Sequence, residues 1–549
     1  MQKHIIYIFL LICSIQIVSA QADTLEKGNI TLVRPYRPKI QESIKKAITP
    51  LPETAMVSMP PFTYTFNSIE PNYQINTPGY KAVNLPQEKL SSLNGNFTKL
   101  GFGNYNSPFL EVSLNNLRSR NWMLAANARH YSLNGKNQSR KYSNNQLHFV
   151  ANYTGDKSIS GAVLLYNRDA YRYYAHESNK TDTLPKGALY NPYQNIQLNT
   201  FTSSKAFDST QLYYRLDLKL DNMIRSKEVN EQCMFVNVNL KKIVRGNLLK
   251  TDFLIDIDQY INQNKKYNRN FIKLQPEYHF TAENFKAIFG LNAIMLNQNR
   301  DTANANLFQF YPKLTLEYTI AKKYKVYTGM WGDWEKYTLK NIYEVNPFIS
   351  PNIKLDNNKN FNLHIGAKGH INNNLDLSIE ARYTNMDNLV MYTVDSTYLH
   401  AMDLIIVSAG VRRLILNAHY HVGNKIDIYS SLIISNYKLS DTIITRASQL
   451  PTFVWKNNFS YKLGDKVYMN LQLNYTGARY LVKYDKTSKE YNNILMKPYA
   501  DISLNADYRY SKYVSMFLNI NNVISNKYVK WYGYPVVGIN AQIGITITL

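Results

Sequence analysis

The segment Val537–Leu549 alternates without a break. Val537, Ile539, Ala541, Ile543, Ile545, Ile547 and Leu549 fall on one side, and Gly538, Asn540, Gln542, Gly544, Thr546 and Thr548 on the other. Successive side chains of a strand point to opposite faces, so this is a strand with one wholly apolar and one wholly polar face. The pattern recurs upstream. Ile502, Leu504, Ala506, Tyr508 and Tyr510 alternate with Asp501, Ser503, Asn505, Asp507 and Arg509. Leu375, Leu377, Ile379, Ala381 and Tyr383 alternate with Asp376, Ser378, Glu380 and Arg382. Similar runs centre on Leu471, Leu363 and Leu216.

Strands of a soluble sandwich average about 5–6 residues. These runs reach about ten, the length that crosses a bilayer when tilted. Tyr383, Tyr420 and Tyr475 close apolar faces at strand ends, where an aromatic ring suits the headgroup region. The chain's 45 Tyr and 5 Trp are enough for two such belts. Short turns at 371–373, 423–425, 463–465 and 511–512 alternate with longer polar links at 341–358, 396–405, 440–450, 483–498 and 525–535. That asymmetry marks the two sides of an outer-membrane barrel. Pairing strands backward from the C-terminus to residue 96 predicts an all-β fold. It is a large antiparallel transmembrane barrel of about 22 strands, within a range of about 14–22. The count takes 190–202 and 406–422 as one strand each.

The N-terminus agrees with export. Lys3 and His4 precede the apolar run Ile5–Val18, and Val18-Ser19-Ala20 is a small-residue cleavage motif, so 1–20 reads as a signal peptide. Ile12 is too bulky before Cys13 for a lipoprotein signal. No later segment has the roughly 18 consecutive apolar residues of a spanning helix. Cys233 is the sole cysteine past the signal, so no intrachain disulfide is expected, and it reads as a small buried thiol. The net charge of +24 is spread along the chain without a basic helix or dense run. It reads either as plain compositional bias in a chain rich in Asn, Lys, Tyr and Ile or as a mildly basic lumen and surface that attracts anionic lipid headgroups or solutes, with no nucleic-acid partner. Residues 21–95 carry Pro35, Pro38, Pro50, Pro52, Pro60, Pro61, Pro71, Pro78 and Pro86 and no sustained alternation. They are expected to form a Pro-rich periplasmic or lumenal extension, with one short helix at Ile40–Ile48; residues 96–549 are the barrel.

Asn521-Asn522-Val523, Asn526-Lys527-Tyr528, Gly533-Tyr534-Pro535 and the glycines Gly538 and Gly544 precede or lie in the closing strand. This ending resembles that of TonB-dependent receptors of Bacteroidetes-type bacteria. The resemblance implies an outer-membrane transporter. That family carries a plug well over 100 residues long, longer than 21–95, so the extension is a reduced plug or a docking arm. No TonB box is legible, so coupling to TonB is not implied. The chain ends in Leu549, where such barrels usually end in an aromatic residue.

No catalytic constellation, cofactor fingerprint or metal-ligand spacing stands out. His419 and His421, His364 with Lys368 and His370, and Asp376 with Glu380 and Arg382 read as polar lumen residues. Asp252, Asp256 and Asp258 share one face and are expected to balance Lys and Arg on neighbouring strands. Trp331, Trp334 and Trp455 read as girdle residues. Trp531, with Tyr532 and Tyr534, lies in a predicted extracellular loop and is the candidate contact for a ligand or partner. The expected function is solute transport or conduction. The alternative is a non-transporting scaffold subunit that docks a periplasmic protein or lipoprotein through 21–95.

Overall fold

The computed structural model describes residues 95–135, 140–175, 189–205, 211–225, 229–263, 265–300, 303–398 and 400–548. The expected signal peptide, the Pro-rich extension and Leu549 lie outside them.

The strands are β1 (Phe97–Gly103), β2 (Ser107–Arg118), β3 (Trp122–Asn134), β4 (Lys141–Thr154), β5 (Ser158–Arg172), β6 (Tyr190–Ser204), β7 (Tyr213–Ile224), β8 (Val229–Val244) and β9 (Asn247–Asn262). They continue with β10 (Lys265–Thr281), β11 (Phe285–Arg300), β12 (Ala303–Ile320), β13 (Tyr324–Lys336), β14 (Asn357–Asn372), β15 (Leu375–Val394), β16 (Met402–Val422), β17 (Ile426–Leu439), β18 (Phe453–Leu463) and β19 (Val467–Thr476). The last are β20 (Arg479–Asp485), β21 (Glu490–Met496), β22 (Tyr499–Arg509), β23 (Val514–Asn521), β24 (Val529–Trp531), β25 (Tyr534–Pro535) and β26 (Asn540–Thr548). One helix, α1 (Leu339–Val345), sits between β13 and β14.

Twenty-two of these strands form one antiparallel sheet. The first strand pairs with the last, Phe97 opposite Thr548 and Gly103 opposite Gln542, so the sheet closes on itself. Closure removes the edge and satisfies the backbone without water, the condition for crossing a bilayer. The expected strand at 190–202 is β6, and 406–422 lies in the single strand β16.

The alternation sorts the two faces. Leu100, Phe102, Ile543, Ile545 and Ile547 point out and are exposed on the isolated chain, while Lys99, Gln542 and Thr546 are buried toward the lumen. Burying that outward apolar band in lipid removes it from water, at roughly 25 cal/mol per Å². No described helix is long and apolar enough to cross a membrane. The connections at the end of the barrel that holds the C-terminus are short, with Gly423 (φ +50) and Gly464 (φ +59) taking left-handed turn positions. The long connections lie at the opposite, extracellular end.

Two expectations change. The link at 483–498 is mostly a hairpin, β20–β21. The closing strand begins at Asn540, so Val537, Gly538 and Ile539 precede it. The Asn522 side chain holds the Val537 carbonyl at 2.9 Å, and the Ser525 hydroxyl accepts the Ile539 N–H at 3.3 Å. Those bonds tie the backbone to the turn at 522–526 instead of the ladder.

Candidate functional site: a packed cap in the extracellular mouth

The loops at 337–356 and 440–452 and the 529–535 segment fold into the mouth of the barrel, and the strands that carry the first of them begin the bend. β12 pairs with β13 only as far as Leu314 opposite Met330. Beyond that point β13 leaves its neighbour and turns inward. Asn292 of β11 donates to the Gly332 carbonyl at 2.7 Å, and Lys273 of β10 reaches Asp333 and the Trp334 carbonyl, both at 2.6 Å. A side chain at Gly332 would collide with the Tyr311 ring, so glycine permits the departure. A second hairpin top, that of β15 and β16, bends in after the register shift between Met386 and Leu389.

These inward segments bury an apolar cluster in the mouth. Leu339, Ile342 and Tyr343 of α1, with Phe348, Ile349 and Ile353 after it, meet Tyr193, Met223, Val229 and Tyr260 on the lumen wall of β6–β9. Val390, Tyr392 and Met402 join from β15 and β16, and Trp531 and Tyr534 from β24 and β25. Tyr193 and Tyr343 are 4.8 Å apart between ring centroids, and the Phe348 and Tyr534 rings stack at 3.7 Å. Thr338 caps α1 by accepting from the Asn341 N–H at 3.1 Å. A second cluster binds the 440–452 loop to this core through Ile444, Val482, Leu389 and Met391. The Ser448 hydroxyl bridges the Tyr392 carbonyl (2.6 Å) and the Val482 N–H (2.9 Å). Arg479 fixes β24 by donating to the Lys530 and Val529 carbonyls at 2.7 and 2.8 Å.

Under α1 lies a buried ionic clamp. Arg269 of β10 bonds Glu231 at 2.5 Å and Asp258 at 2.7 Å, all three almost fully buried. Lys336 reaches Asp256 at 2.6 Å and Asp258 at 3.2 Å. The clamp holds the start of the loop. Arg269 also donates to the Tyr337 carbonyl at 2.7 Å, and the second oxygen of Glu231 accepts the Leu339 N–H at 2.6 Å. Glu231, Cys233 and Asp258 bring a possible ligand atom each within 4.8 Å of one another. The ammonium and guanidinium groups already bond both carboxylates, so the geometry is that of an ion-pair network.

The residues singled out in the sequence divide between wall and cap. Asp256 and Asp258 meet the cations of other strands in the clamp, whereas Asp252 pairs at 2.6 Å with Lys250 of its own strand. His419 bonds Asp427 at 2.9 Å and His370 bonds Asp376, both near the periplasmic end. Trp455 faces outward and half-exposed, whereas Trp331 lies under the Arg382 guanidinium and Trp334 donates to Gln309 at 2.8 Å inside the barrel. Trp531 and Tyr534 are in the cap's core, 8% and 2% exposed, and Tyr532 packs against it. The Tyr534 hydroxyl donates to the His400 carbonyl, and Tyr392 meets Trp531 edge-on at 4.9 Å. Sequence reasoning missed Glu231, Arg269, Lys336 and the α1 residues. Burial of polar side chains is a property of the bent hairpin and leaves no periodic signal.

No family model and no curated protein matches the sequence. Solved structures match its fold. The barrel superposes on the FrpB iron transporter of Neisseria meningitidis (F3-3 variant) with TM-score 0.65 and 10% identity, over 83% of this chain and 81% of that one. The ferric-catecholate import receptor Fiu from E. coli K12 gives TM-score 0.63 at 10% identity, over 84% and 82% of the two chains. The pyoverdine receptor FpvA of Pseudomonas aeruginosa gives 0.64 at 12% identity, over 83% and 78%. The likeness is one of fold: the chain has the closed 22-stranded barrel of these receptors, the fold of bacterial outer-membrane proteins.

Proposed function

We propose that this protein is an outer-membrane transporter whose extracellular mouth is closed by its own loops. The observation that carries the reading is the polar lumen wall beneath a separately packed cap. Amides line one side, with Asn470 donating to Asn458 at 2.7 Å, and ion pairs line the other. A lumen of that chemistry suits a hydrated solute, and a barrel of this strand number is wide enough to need closing. The shared fold with iron importers supports the same reading. Because α1 contributes nothing to the sheet, it can move without breaking the barrel ladder.

The second reading is a non-transporting barrel subunit that docks a periplasmic protein or lipoprotein through 21–95. The filled mouth favours it. Planar-bilayer conductance separates the two. Transport predicts that a variant lacking 340–352 and 22–90 together conducts, while the intact protein stays closed. A double deletion that folds and remains silent sinks the transport reading. Loss of a specific partner on deleting 22–90 alone would then support the scaffold.

A further inference from the structure

The outward wall of β15–β17 carries a charge where the barrel meets lipid. Register places Tyr383, Arg412 and Asn436 side by side on the outer face, one row above Ala381, Leu414 and Ile434. Arg412, Asn436 and the next outward residue of β17, Lys438, are all exposed. Among the described residues none hydrogen-bonds or pairs with the Arg412 guanidinium or the Lys438 ammonium. The carboxylate further along β15, Asp387, is taken by Lys359 at 3.6 Å. Tyr420 marks the periplasmic end of the same outward row on β16. Strand rise and tilt put Arg412 about 20 Å above it, near the top of an apolar band about 25 Å tall. At that depth a lipid-facing charge costs little, and it faces the headgroups of the outer leaflet.

A groove of about 920 Å³ runs below these residues. The small side chain of Ala381 forms its floor, and Ile365, Leu414 and Ile434 form its sides. A basic, amide-bearing rim above an apolar groove is complementary to one kind of molecule, a lipid with an anionic headgroup. We propose that Arg412, Lys438 and Asn436 hold the phosphate of an outer-leaflet glycolipid whose acyl chain lies over Ala381. The guanidinium supplies a fork that matches phosphate oxygens, and the Tyr383 ring covers the upper end of the chain. This site lies on the lipid face and is independent of the transport reading.

Native mass spectrometry of the intact barrel tests it, with phosphorylated lipid A and its dephosphorylated counterpart as probes. The wild type should retain the phosphorylated form preferentially. Arg412→Ala with Lys438→Ala should weaken that retention by about thirtyfold, what two basic residues at a charged surface supply. Arg412→Lys should keep most of it. Heat-dependent gel mobility reports that each variant is still a folded barrel. Equal retention of the two probes by the wild type, or undiminished retention by a folded double variant, overturns the proposal. So does protection of the site by inorganic phosphate alone, which would make it a free-anion site.

Discussion

His400 shows how a single side chain can set the conditions under which the cap stays shut. Its ring lies edge-on to Tyr173 at 5.0 Å and to Tyr398 at 6.2 Å. Its carbonyl accepts the Tyr534 hydroxyl. Burial among these rings holds the imidazole below the usual histidine range, with Asp395 opposing the shift. A histidine whose folded pKa is depressed favours the neutral form in the closed state. Its contribution is therefore complete above the unfolded value of 6.5 and is lost as pH falls through the folded value. The cap should loosen on acidification below about pH 6.5, and His400→Phe should abolish that dependence. Hydrogen exchange at 395–401 as a function of pH reads it; a flat profile in the wild type refutes it. The aromatic residues around His400 also show where sequence alone misleads. Trp531 and Tyr534 sit in a predicted extracellular loop, which suggests a contact for a ligand or partner. Their burial depends on Phe348 and Tyr392, more than a hundred residues away, arriving at the same place.

At the scale of elements, the clamp and the bent top of β13 act together. The inward turn exposes backbone groups that the ladder no longer satisfies, and lumen side chains from β10 and β11 replace the lost bonds. Arg269 is the centre of this arrangement, because it pairs two buried carboxylates and holds the start of the cap loop at once. Removing one partner of a buried ion pair leaves an uncompensated charge, at roughly 3–5 kcal/mol. Arg269→Met should therefore free α1 while leaving the barrel closed. Exchange of the α1 amides should rise by orders of magnitude, with the protection of β4–β6 unchanged. Unaltered α1 exchange would show that the apolar cluster alone holds the cap. The sequence announced half of this network. Asp252, Asp256 and Asp258 share a face by simple alternation, and cations on neighbouring strands were the expected partners. Lys336 could not be named, because it comes from the end of a strand that has left its register, and Glu231 shows no pattern before the cap covers it. A seven-residue helix is likewise too short for a 3.6-residue period to appear.

The whole barrel depends on one seam, and there the sequence was most legible. Alternation of the closing strand decides which of its faces meets lipid, and hence which register with β1 is possible. A slip by one residue would turn Ile543, Ile545 and Ile547 into the lumen and Gln542 and Thr546 into lipid. What alternation does not disclose is the role of the polar-face glycine. Gly101 and Gly544 are opposite each other across the seam, and the ring of Phe517 lies over both. Lys99 caps that ring at 4.1 Å, and Phe109 meets it edge-on at 6.2 Å. The aromatic side chain thus fills the space two glycines leave and covers the backbone where first and last strands join. A Cβ on Gly544 would fall against the Leu100 carbonyl and the Phe517 ring. The carbonyl is part of the closing ladder and cannot move without breaking it. Gly544→Val should consequently block closure, giving protein that lacks the heat-dependent mobility shift of a sealed barrel. Phe517→Ala in the same background relieves the ring but not the carbonyl, so it should restore little. Full closure of the single variant would place the seam's specificity in the outward isoleucines alone. Rescue by the Phe517 change would place it in ring packing. Failure of both locates it in the backbone contact, the one feature of this strand that must be glycine for the ends of the chain to meet.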